Sequence, residues 1–175
     1  MRLFFKILSA LIGFFVIFFL HIFCINVLPF PFNRLDIIFV TVWWGVCHKN
    51  HSAQWWSALF LGLLTELFAS SPFGLATLSL LLSLYTGRWL MQNVFTSHAW
   101  PVVLISALAS LTVYHIVFLL LLAVHHIIYG VPVLLNGPYL AGALYGMLLT
   151  MAILTARYFF DRLANKQRAP YYIGY

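Results

Sequence analysis

Six apolar runs joined by short polar connections constrain this chain more than any other feature. They cover roughly residues 3–28, 35–48, 53–70, 73–91, 101–129 and 138–160. A helix that crosses a bilayer needs about 20 predominantly apolar residues. Five of the runs approach or exceed that length. The second is short, about 20 Å of helix at 1.5 Å per residue. Either its aromatic end lengthens it or its neighbours hold it. The reading is an all-α polytopic membrane protein with six transmembrane helices in one integral membrane domain, residues 1–175.

Composition excludes the soluble alternatives. The chain is 64% hydrophobic and 7% charged, with a mean hydropathy of +1.01. Polar side chains are too few to cover such a surface in water, so lipid must be the main solvent. The net charge of +6 does not indicate nucleic acid. The basic residues are scattered at span ends and form no phosphate-binding patch.

Charge instead sets the expected orientation. With both termini on one side, that side receives Arg2, Lys6, Lys49, Arg88, Arg157, Arg162, Lys166 and Arg168, and the other side only Arg34. The excess of Lys and Arg marks the cytoplasmic face, which puts both termini in the cytoplasm. Arg2 and Lys6 before an apolar run mimic a signal peptide. No small-x-small cleavage pattern follows, and bulky Phe23 precedes Cys24, so the first span reads as an uncleaved anchor. Cys24 and Cys47 fall near opposite membrane faces. Disulfide Cα atoms must come within about 7 Å, so both cysteines read as apolar fillers.

The segment Gly62–Gly74, GLLTELFASSPFG, places Glu66 inside an apolar helix. An ionisable group in a membrane span is costly and faces protein or water. Ala58, Gly62, Glu66 and Ser70 recur every four residues and share one helix face. Small residues there admit a second helix. Two readings stand for Glu66: a structural carboxyl bonded to a neighbour, or a functional group in a partner contact, an ion or proton site, or a ligand anchor. Arg34 is the expected ion-pair partner if the first loop folds inward, with Asp36, His21, His125 and His126 on the same side. A His/Glu metal site is conceivable, but none of these residues has ligand spacing.

His115 sits mid-span in the fifth run and is expected to be neutral and hydrogen-bonded, to Thr112 or to another helix. Gly142 and Gly146 form a GxxxG surface, used either within the bundle or between two copies. Asn136-Gly-Pro138 reads as a helix start. The Trp43-Trp44 and Trp55-Trp56 pairs suit a membrane interface. There is no phosphate loop, HExxH, CxxC or paired intramembrane carboxylate, so the residues point to no enzyme, cofactor or metal.

The features resemble, in order, the MreD family of the bacterial rod-shape system. The loop Pro31-Phe32-Asn33-Arg34-Leu35-Asp36 is similar to that family's R-P-D lead-in to span two. Gly62, Glu66, Leu67, Ser71 and Gly74 fill the corresponding positions of the pattern G-xxx-D-L-x-S-G-S-x-x-G that ends span three. The chain departs from it at Glu66 for aspartate, Ser70 for glycine and Leu35 for proline. The match covers about residues 34–83. The resemblance implies a non-catalytic component of lateral wall elongation in the bacterial inner membrane, associated with MreC, RodA, its transpeptidase and MreB filaments. A second expectation is the substrate-binding subunit of an energy-coupling-factor vitamin transporter, which is also small and six-spanning. A third is a membrane protein whose polar residues only pack its bundle.

Overall fold

The computed structural model describes the backbone of residues 2–30, 32–46, 51–68, 72–95, 100–130 and 137–164. Every regular element among them is helical. The helices are α1 (Arg2–Val27), α2 (Ile37–Val46), α3 (His51–Phe68), α4 (Leu75–Trp89), α5 (Trp100–Tyr129) and α6 (Gly137–Ala164). A 3-10 turn, Phe32–Arg34, precedes α2. A π-helical turn, Leu90–Val94, extends α4.

Three helices are long and apolar enough to cross a membrane, within Leu8–Val27, Pro101–Tyr129 and Ala141–Phe160. The other three, among them the second, whose run was already expected to be short, are not in that set. At 1.5 Å per residue, α2 is about 15 Å long, α4 about 22 Å and α3 about 27 Å. Helices α3 and α4 also carry Gln54, Glu66, Thr77, Ser79 and Ser83 as buried polar residues. Helices packed on protein need neither the length nor the apolarity of lipid-facing ones.

The core gathers on the short helices. Ile38, Phe39, Val42 and Trp43 of α2 are buried together with Ala58 and Leu61 of α3 and Leu80 and Leu84 of α4. Phe18, Ala107, Leu111 and Leu154 close this core from α1, α5 and α6. Trp43 corrects the interfacial expectation, being 1% exposed. Its indole lies parallel to Phe39 with centroids 6.0 Å apart and fills the space over Gly87, where a Cβ would fall 2.2 Å from the ring. Its neighbour Trp44 lies against the guanidinium of Arg157 in α6, 4.7 Å from ring centroid to Cζ, a cation–π geometry.

Helices α4 and α5 meet through hydroxyls and small residues. Ser79, Ser83 and Gly87 recur every four residues on α4, and Ser106 and Ser110 do so on α5; all are buried. The Ser110 hydroxyl donates to the Ser83 carbonyl. This is the small-residue packing that lets helix backbones approach in lipid.

Candidate functional site

Glu66 is buried, 3% exposed, and its Oε1 accepts a hydrogen bond from the Thr77 backbone N–H at 2.7 Å. Thr77 is the third residue of α4, whose first turn has N–H groups without intrahelical partners. The helix's own N-cap residue is Gly74, at φ 97°, with no side chain to cap it. A carboxylate on α3 therefore caps α4 from outside. The partial positive charge at the helix start further favours the carboxylate there.

The rest of the motif serves that contact. At Gly62, one turn before Glu66, a Cβ would lie 2.8 Å from Thr77 Cα and 2.9 Å from its Oγ1. Only glycine lets the backbones of α3 and α4 meet at that depth. Gly74 adopts the left-handed backbone that glycine takes without strain, and its carbonyl starts the α4 ladder by accepting from Leu78 N–H at 3.0 Å. Ala58 is buried on the same face of α3. Ser70 and Ser71 lie outside the described residues.

Asp36 repeats the arrangement locally. Its Oδ1 accepts from Phe39 N–H at 2.9 Å, and its backbone carbonyl accepts from Val40 N–H at 3.1 Å. Asp36 is thus the N-cap of α2, bonding the third helical amide as such residues do. Both acidic side chains that the structure describes cap helices.

The first loop does fold inward, but it carries Arg34 to α6 and not to Glu66. At Gly146 a Cβ would lie 2.6 Å from the Arg34 carbonyl oxygen, and at Gly142 3.2 Å from its Nε. The GxxxG of α6 is filled by the chain's own 3-10 turn. Glu66, bonded to the α4 amide, forms no ion pair with Arg34. The turn is recessed: Gly142 and Gly146, which it meets, stand about 8 and 14 Å along α6 from that helix's first residue.

His115 stacks edge-on beside Tyr114, with centroids 5.3 Å apart. Thr112 donates to Leu108 of its own helix at 2.8 Å instead of to His115. No group of three His, Cys, Asp or Glu among the described residues is arranged to hold a metal. Cys24 is a free thiol; Cys47 and Asn136 lie outside the described residues. The sequence reading missed the seam of Ser79, Ser83, Ser106 and Ser110, although its four-residue period was present in the chain.

Comparison with protein-family models, with curated proteins and with solved structures found no match.

Proposed function

We propose that this chain is a non-catalytic scaffold of the bacterial wall-elongation complex. It would sit in the inner membrane and bind an MreC-type partner. The observation that carries this reading is the use made of the intramembrane acids. Glu66 holds the start of α4 and Asp36 the start of α2. A carboxylate committed to a helix amide serves architecture, as a scaffold requires. The residues that carry the resemblance to MreD, Gly62, Glu66 and Gly74, are also those that join α3 to α4.

The same proposal takes the six helices as six passes with both termini cytoplasmic. The distribution of Lys and Arg, eight on one side against Arg34 on the other, supports it. The buried α2 then crosses with the help of the recessed turn before it.

The test is co-purification from membranes with an MreC-type protein, beside a count of cell shape. The wild-type chain is expected to retain the partner, and Glu66→Ala, at matched protein levels, to retain less. Undiminished association of Glu66→Ala would show that partner binding does not depend on the α3–α4 joint. A purified chain carrying one vitamin molecule per copy would replace this reading with the transporter one.

A further inference from the structure

We infer that Arg34 is a binding site for the phosphate of an anionic membrane lipid, seated by Gly142 and Gly146 of α6. Arg34 is the sole Lys or Arg between Lys6 and Lys49. Arg34 is exposed as a residue, yet its backbone and one edge of its guanidinium lie against α6: a Cβ at Gly146 would fall 2.6 Å from its carbonyl oxygen, and one at Gly142 3.2 Å from Nε and 3.3 Å from Cζ. The chain gives up two side chains to hold one arginine in a fixed place.

The two carboxylates that the structure describes are directed to helix amides. Asp36 Oδ1 is bonded to Phe39 N–H and Glu66 Oε1 to Thr77 N–H. Among the described residues no carboxylate forms an ion pair with the guanidinium. Its planar fork of donors matches two oxygens of a phosphate.

The surroundings identify the source of the anion. Phe30, Phe32 and Tyr145 are 59%, 53% and 44% exposed. Phe30 and Tyr145 lock edge to face, with centroids 4.9 Å apart. Tyrosine is enriched at the headgroup level of a bilayer, and Tyr145 stands beside Arg34's glycines on α6. Along α6 the exposed neighbours are Leu144 and Leu148, a surface suited to acyl chains and not to a soluble anion. A lipid phosphate on Arg34 would leave its chains against these leucines. The inference goes beyond the scaffold reading and does not depend on it.

The experiment is native mass spectrometry of the purified full chain, released from nanodiscs of phosphatidylglycerol mixed with phosphatidylcholine. The wild type is expected to retain phosphatidylglycerol at least several-fold over its share of the mixture. Arg34→Gln is expected to lose that preference, and Arg34→Lys, which keeps the charge without the fork, to keep part of it. Inorganic phosphate at millimolar concentration is expected to leave the retained lipid in place. Equal retention of the two lipids by the wild type would overturn the site, even if Arg34→Gln fails to fold. An unchanged preference in folded Arg34→Gln would overturn the role of Arg34. Displacement of the lipid by inorganic phosphate would overturn the lipid as the source of the anion.

Discussion

Glu66 Oε1 and the Thr77 amide nitrogen, 2.7 Å apart on different helices, define how α3 and α4 dock. The bond gives α4 the cap that Gly74 cannot supply. It also gives a carboxylate a reason to be buried among apolar helices. An acid at this depth draws attention as chemistry, and its geometry is that of a helix cap.

Removing the carboxylate leaves a buried amide without an acceptor, which costs about 1–3 kcal/mol. Glu66→Ala is expected to lower stability by that order. Glu66→Gln keeps an oxygen acceptor and is expected to lose less than half as much. Thermal unfolding in a mild detergent compares the two. Equal losses would mean that charge, and not the hydrogen bond, holds the helices.

Gly62→Ala drives a methyl group into Thr77 Cα, 2.8 Å away. Overpacking of this kind costs about 1–3 kcal/mol. Because the shift also pulls Thr77 from Glu66, the loss is expected to be less than additive with Glu66→Ala. A double-mutant cycle reads that coupling. Strict additivity would separate the glycine from the cap.

Gly87→Ala places a methyl against the Trp43 ring, at 2.2 Å. The indole must move, because α2 and α4 approach each other through that glycine. The expected result is a shift in Trp emission together with a loss of about 1–3 kcal/mol. A variant with unchanged emission and stability would place Trp43 outside the core.

Asp36→Ala removes the α2 cap and is expected to cost about 1 kcal/mol, whereas Asp36→Asn, an equally good cap, is expected to cost little. Unfolding midpoints of the two variants separate capping from charge. If Asn is as harmful as Ala, the carboxylate acts through its charge and not through the bond to Phe39.

Much of this was legible in the sequence. The helix succession follows from apolar runs, and the buried face of α3 from the four-residue recurrence of Ala58, Gly62 and Glu66. The partner of Glu66 was not legible. Sequence suggests side-chain charges such as Arg34, but a backbone amide leaves no mark of its own. The lack of a capping side chain at Gly74 was the available sign. Trp43 was misplaced because a tryptophan pair at a span end reads as a membrane anchor until the facing Gly87 is known. The recess of Arg34 follows from the shortness of α2, which sequence showed without showing what filled the gap.

The most direct test of the account is amide hydrogen exchange at Thr77 in the wild type and in Glu66→Ala, with both proteins folded in the same detergent. The cap predicts strong protection of Thr77 in the wild type. It predicts a selective loss in the first turn of α4 for the variant, with Leu80 to Leu84 unchanged. Equal protection of Thr77 in both proteins would contradict it.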